Sequence, residues 1–255
     1  MTYETYRAWR DRHEERPLDL SIVIPAFNEK DRIVPTIGAF AAHLSGHDLA
    51  WELIIAADGS TDHTKALVEL LDHANIRVLD APGNLGKGAA VRRGVRAARG
   101  KHVLFADADC STPAEELDRL WMEVRAGADV AIGSRAAGGA QVANRSPLRR
   151  TLTAGLRLLV KAGLRVPVQD TQCGFKLFKA DAAQRLFQDQ TVDGFSFDLE
   201  ILFLARRYGM TIAEVPVSWF DAPGSKVHAR LEIVRFVSSI IRIRMNALRG
   251  VYARA

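Results

Sequence analysis

Val103-Leu104-Phe105-Ala106-Asp107-Ala108-Asp109 decides how this chain is read. Its first four residues form an apolar run with the length and composition of a buried strand. Side chains two apart on an extended segment point the same way, so Asp107 and Asp109 are expected side by side at the end of that strand. Neighbouring carboxylates repel. A hard divalent cation, Mg²⁺ or Mn²⁺, is the usual partner, because it prefers carboxylate oxygen and shares coordination with substrate phosphates. The plainer reading is an acidic turn capping the next helix, since Ser111-Thr112-Pro113 looks like a helix start.

Working outward, the same strand-then-helix rhythm recurs on both sides. Strands are expected at 20–25, 51–56, 76–80, 103–106 and 130–133, with helices near 31–44, 61–73, 87–99 and 113–126 between them. Short connections between such units imply a doubly wound, mainly parallel α/β sheet flanked by helices. Ligands on these sheets bind beyond the carboxyl ends of the strands, where Asn28, Asp58, Asp107 and Asp109 all fall. The second half is less regular. Residues 136–150 read as a Gly-, Ala- and Arg-rich loop, and 152–166 as an apolar helix with Arg157, Lys161 and Arg165 on one face. A helix at 197–208 leads into a strand at 211–217, and 231–252 closes the chain as a basic amphipathic helix. The organisation expected is a charged extension (1–19), one catalytic domain (20–230) and an interface helix (231–255).

Composition narrows the classes. With 255 residues and 48% hydrophobic content the chain suffices for one large domain. Its 35 Lys and Arg against 30 Asp and Glu give +5, which suits anionic ligands or membrane surfaces. The seven histidines show no metal-ligand spacing such as H-E-x-x-H, which argues against a zinc enzyme, and two cysteines make no disulfide framework. No apolar run approaches the ~20 residues that span a bilayer, and Met1 to Pro17 does not read as a signal peptide. A peripheral protein on the cytoplasmic face of a membrane is expected.

Two segments invite nucleotide readings. Asn84-Leu85-Gly86-Lys87-Gly88 is not a Walker A loop, because Ala81 stands where the first glycine belongs and Gly88 where Ser or Thr belongs. A lysine at a helix start still favours an anion, though a simple helix-start turn explains the same residues. Asp58-Gly59-Ser60-Thr61-Asp62 ends the second strand; Asp58 is expected on a base or ribose, with Asp62 and Thr64 mostly structural.

These residues carry a resemblance. Residues 22–29 (Ile-Val-Ile-Pro-Ala-Phe-Asn-Glu), 57–62 (Ala-Asp-Gly-Ser-Thr-Asp), 84–88 and Asp107-Ala108-Asp109 resemble, in order, the motifs of inverting family-2 glycosyltransferases. Gly133-Ser134-Arg135, residues 170–178, Phe197-Asp198-Leu199-Glu200 and Gly224-Ser225-Lys226 narrow this to the dolichyl- and polyprenyl-phosphate β-glucosyltransferase branch. The resemblance implies a GT-A-like fold. Pro25, Ala26, Asn28 and Glu29 would line a nucleotide-sugar pocket, with Asp58 on the base or ribose and Lys87 nearby. Asp107 and Asp109 would hold Mg²⁺ or Mn²⁺ against the diphosphate. Arg135, Ser225 and Lys226 would bind phosphate groups, while Gln172 and Asp198 would face sugar and acceptor. Two departures stand out: Ala57 replaces the first of a usual pair of acids, and Ser111 replaces a glutamine common in the mannose branch.

The reaction so implied inverts the anomeric carbon of UDP-glucose onto a polyprenyl or dolichyl phosphate, with Asp109, Asp198 and Arg135 as the catalytic set. Asp198 would position acceptor or sugar without serving as an obligatory base. The last helix adds a membrane argument: Arg235, Arg242 and Arg249 recur every seventh residue, with Arg244 nearby, beside Ile233, Phe236, Val237, Ile240, Ile243 and Met245. Such a helix suits an anionic lipid surface; packing on the core is the alternative. Rival functions are GDP-mannose-dependent transfer to the same lipid, a nucleotidyltransferase, and a non-catalytic nucleotide-binding membrane adaptor. No nucleic-acid partner is expected, and oligomeric state is not fixed by the chain.

Overall fold

β1 (Leu20–Ala26) and β2 (Trp51–Ala57) are buried along their whole lengths, because apolar residues face both ways with almost no polar interruption. That is the signature of strands covered on both faces. In the computed structural model, which describes residues 16–142, 159–220 and 229–252, they join β3 (Ile76–Leu79), β4 (His102–Ala106), β5 (Val130–Ser134), β7 (Phe175–Lys179) and β8 (Ile212–Pro216) in a seven-stranded sheet ordered β3-β2-β1-β4-β7-β5-β8. Every pairing is parallel except the two made by β7. A two-residue β6 (Gln141–Val142) pairs with β9 (Ser218–Trp219) beside it.

Alternation along the strands divides the core. Ile22, Ile24, Leu53, Ile55 and Leu104 face α1 (Ile33–Leu44), α2 (Thr64–Glu69) and α4 (Leu117–Arg125). Val23, Ile54, Val103 and Phe105 face α3 (Lys87–Ala97), α5 (Ala180–Asp189), α6 (Phe197–Arg207) and α7 (Ala229–Leu248). The connections carry α1 and α3 away from the carboxyl ends of β1 and β3, so the loops there gather at one edge of the sheet.

The structure corrects several expectations. β7 and α5 were not foreseen as elements, and β7 sits antiparallel in the middle of the sheet. The second helix is shorter than 61–73, because Asp62 Oδ1 accepts from Thr64 N at 2.9 Å and fixes its start there, while Asp72 turns left-handed at φ 45°. Residues 159–164 are helical, but Arg165 adopts φ 54° and leaves the helix, so it does not share a helical face with Lys161. In α7, Phe236, Ile240 and Ile243 pack into the core, so most of the apolar side expected to meet lipid is internal. Arg157 and the side chain of Ile233 lie outside the described residues.

Candidate active site

At the carboxyl edge, two loops are tied to each other before any ligand is considered. Asn28, held at φ 56°, uses Oδ1 to accept from Thr61 N at 2.8 Å and Asp62 N at 3.3 Å. Its own N–H donates to Ser60 Oγ, and Glu29 N donates to Thr64 Oγ1 at 2.8 Å. The Glu29 carboxylate takes two hydrogen bonds from Arg32, at 2.6 and 2.7 Å. Pro25 and Ala26 are buried beneath this junction. Asp58 is buried as well, and its two oxygens accept the backbone N–H groups of Leu85 and Gly86 at 3.1 and 2.8 Å. Asp58 therefore braces the loop that delivers Lys87. Asp62 and Thr64 are structural, as their hydrogen bonds show.

Where the paired acid is replaced by Ala57, Arg93 donates to the Ala57 carbonyl at 2.6 Å, with Nη1 3.6 Å from Asp58 Oδ1. Its buried Nε and Nη1 have no hydrogen-bond partner among the described residues.

Asp107 and Asp109 do not lie on the strand. β4 ends at Ala106 and both acids occupy the turn that follows, with Cys110 at φ 51°. Two cross-links fix this turn: Asp107 N donates to Gly174 O at 3.0 Å, continuing the β4–β7 ladder, and Thr36 Oγ1 donates to Ala108 O at 2.8 Å. Asp109 Oδ1 accepts from Ser111 N at 3.0 Å. Asp107 lines a small cleft with Ser111, Thr112, Gly174, Phe175 and Trp219. Gly174 leaves room for the Asp107 carboxylate where it stands, because a Cβ there would come within 1.9 Å of Oδ2 and force the side chain to move.

Charge converges on that turn. Lys87 Nζ lies 2.6 Å from Asp107 Oδ1 and over the rings of Phe105 and Phe195. Burial pushes the Lys87 amine down, but Asp107, Asp198 and Asp109 outweigh it and leave the amine more basic than usual. That ion pair occupies the buried Oδ1 of Asp107, which no other described residue bonds. Asp107 and Asp109, two carboxylates in one turn, are the oxygen donor set that a hard divalent cation prefers.

The remaining predicted residues divide. Arg135 is clamped by Asp170: Nε–Oδ2 2.7 Å, Nη2–Oδ1 2.8 Å, and the backbone N–H adds a bond at 2.9 Å. It also lies over the Trp219 ring, 5.4 Å from the centroid. Burial would raise the Asp170 carboxyl, but the hydrogen bonds and charge of Arg135 hold it at about 2. Asp198 is buried and salt-bridged to Lys176 at 2.6 Å, and Lys176 also donates to Cys173 O. Burial raises the Asp198 carboxyl despite the opposing charges of Lys176 and Lys87. Gln172 is exposed at the same edge. Ser225 and Lys226 lie outside the described residues.

Sequence reasoning gave no roles to Lys176, Asp170 or Gly174. One signal was available: a lysine inside Phe-Lys-Leu-Phe is a charge in an apolar strand, which demands a buried partner. Nor did it note that His43 and His47 stand four apart; with Asp118 they form a metal-compatible group, correcting the view that no histidines have ligand spacing.

A profile described as Glycosyl transferase family 2 matches residues 21–187. The chain belongs to glycosyltransferase family 2. The dolichyl-phosphate beta-glucosyltransferase of Dictyostelium discoideum is 37% identical to this family-2 chain over 256 residues, covering 93% of it and 78% of the relative. The Saccharomyces cerevisiae protein of the same name is 35% identical over 264 residues (95% and 79%), and the human one 31% over 252 residues (91% and 77%). Among solved structures, glucosyl-3-phosphoglycerate synthase from Mycobacterium tuberculosis, in complex with Mn²⁺, UDP-glucose and glycerol 3-phosphate, superposes with a TM-score of 0.66 at 20% identity. The match covers 96% of this chain and 84% of that one. That likeness speaks for the GT-A fold. This family-2 member is thus a glycosyltransferase.

Proposed function

We propose that the chain moves glucose from UDP-glucose to a dolichyl or other polyprenyl phosphate with inversion at the anomeric carbon. The observation that carries this reading is the Asp107–Asp109 turn, with Lys87 held against it, in a chain whose relatives bear the name dolichyl-phosphate beta-glucosyltransferase. The solved neighbours with Mn²⁺ and UDP-glucose support the metal and the donor.

Asp107 and Asp109 would hold Mg²⁺ or Mn²⁺, which supplies charge stabilisation at the departing diphosphate. The rest falls to the chain's own side chains. Lys87 brings a fixed positive charge to the same place. Asn28, Glu29, Pro25 and Ala26 shape the nucleotide side of the cleft, and Asp58 acts by bracing the 84–86 loop. Arg135, held flat by Asp170 and Trp219, presents its remaining N–H groups toward phosphate, with Ser225 and Lys226 from the segment after β9. A lipid phosphate is already an anion at neutral pH, so no base must remove a proton from it. The demand is alignment. Asp198, locked by Lys176, orients sugar or acceptor together with Gln172.

Residues 20–230 form the catalytic unit in this reading, and 231–255 the contact with an anionic, cytoplasm-facing lipid surface. No helix among the described residues is long and apolar enough to cross a membrane. The outer face of α7 nevertheless exposes Ile241, Met245 and Leu248, at helical spacing and beside the exposed Arg242, Arg244 and Arg249. The deciding experiment offers UDP- and GDP-sugars with a short polyprenyl phosphate and Mn²⁺. Glucosyl lipid formed from UDP-glucose, and lost in Asp107→Asn, is expected. Mannosyl lipid from GDP-mannose alone, or pyrophosphate release from a nucleoside triphosphate, overturns the reading.

A further inference from the structure

The histidine pair on α1 points to chemistry that the glycosyl-transfer reading does not use. His43 closes the last turn of α1 and His47 follows four residues later, just past the helix end. Both aim Nε2 at one oxygen of Asp118, in the first turn of α4: His43 at 3.2 Å and His47 at 3.7 Å. The imidazole centroids are 4.7 Å apart, and the three ligand atoms all lie within 4.8 Å of one another.

We infer that His43, His47 and Asp118 form a second metal site, selective for a borderline divalent cation of the Zn²⁺ class. The donor set decides the class: imidazole nitrogen suits zinc and its neighbours, whereas Mg²⁺ and Ca²⁺ want oxygen alone. Geometry agrees. Ligand atoms around a tetrahedral zinc, at bond lengths near 2.0–2.1 Å, stand about 3.3 Å apart. The histidine–carboxylate distances, 3.2 and 3.7 Å, are already near that value. Three protein ligands leave one position for water.

The backbone around the pair is fixed. Ser45 N and Oγ both bond Ala41 O, Gly46 N bonds His43 O, and His47 N bonds Leu44 O. Arg119, the basic residue nearest Asp118 in sequence, is engaged with Glu116. His43 has only 9% of its side chain exposed, while His47 has 36%, so the site opens to solvent on one side.

The position separates it from the Asp107–Asp109 turn. Thr36, near the start of α1, bonds Ala108 within that turn. His43 lies seven residues further on, about 10 Å along the helix axis. A cation there would clamp α1 to α4 and stiffen one layer without touching substrate.

The test uses tag-free, chelator-washed full-length protein in excess Mg²⁺, which occupies oxygen-only sites. Isothermal titration with ZnCl₂ should show one equivalent bound, and Co²⁺ in its place should give visible d–d absorption. His47→Ala and Asp118→Asn should each weaken Zn²⁺ binding by about 10-fold or more and abolish the Co²⁺ bands. Asp107→Asn should change neither. His47 is exposed enough that its loss should leave the circular dichroism spectrum intact. Zn²⁺ uptake that survives His43→Ala/His47→Ala, that vanishes in Asp107→Asn, or that never reaches one equivalent in the wild type overturns the site. Because these readouts involve no transfer reaction, their failure is distinct from failure of the proposed function.

Discussion

Asp107 is positioned by what its neighbours lack. Gly174 has no side chain, and that absence leaves room for the carboxylate; an added Cβ would press to 1.9 Å from Oδ2 against a backbone locked into the β4–β7 ladder. Gly174→Ala should therefore displace Asp107 while the sheet persists. We expect Mn²⁺ affinity, read by electron paramagnetic resonance, to fall about tenfold or more with an unchanged circular dichroism spectrum. Unaltered affinity would mean that Asp107 does not bind the ion. At this scale the sequence was informative about identity and less so about geometry. The pair of acids stood out from the strand before it. Period-two reasoning set them side by side at the end of that strand; it did not show the turn that Gly174 and Thr36 fix by capturing the backbone at Asp107 and Ala108. Asp58 illustrates the same limit: an acid at a strand end reads as a ligand contact, and the backbone N–H groups that both of its oxygens also bind were not legible.

Among elements, β7 and α7 carry the most consequence. β7 places Lys176 on the α3–α6 side of the sheet, with 1% of its side chain exposed, against an equally buried Asp198. Removing one partner strands the other charge, which typically costs about 3–5 kcal/mol, whereas replacing both with apolar groups is often tolerated. Lys176→Met should lower the urea midpoint by that equivalent, and Lys176→Met/Asp198→Leu should recover most of it. Equal losses in the two variants would contradict a coupled pair. For α7 the inner face is already committed to the core, so only the outer stripe is free for lipid. Ile241→Glu/Leu248→Glu should abolish co-sedimentation with phosphatidylserine vesicles at low salt and leave thermal stability unchanged; wild-type binding should itself weaken as salt rises. Binding indifferent to both changes would remove the helix from the membrane contact. The parallel strands were legible because each is a continuous apolar run bounded by turn residues. β7 was not, since a lysine at its centre breaks that pattern and its pairing partner lies far back in the chain.

For the whole molecule, charge buried at the edge of the sheet sets an acid limit. Asp170 has its carboxyl lowered from 3.8 to about 2 by Arg135, which stays protonated throughout. Its contribution is fully present above about pH 5 and is lost as pH falls through the folded value; the shift corresponds to about 2 kcal/mol. Asp170→Asn should therefore lower stability at pH 7 and flatten its dependence between about pH 5 and pH 2, followed by urea unfolding across that range. A variant with the wild-type slope would locate the acid sensitivity elsewhere. One arrangement in the fold also bears on how the protein is made. Until Phe175–Lys179 leaves the ribosome, the flank of His102–Ala106 that it will cover shows bare amide and carbonyl groups. Translation halted between 107 and 174 releases a product with a sticky open seam, prone to clumping or to borrowing a strand from a sister chain.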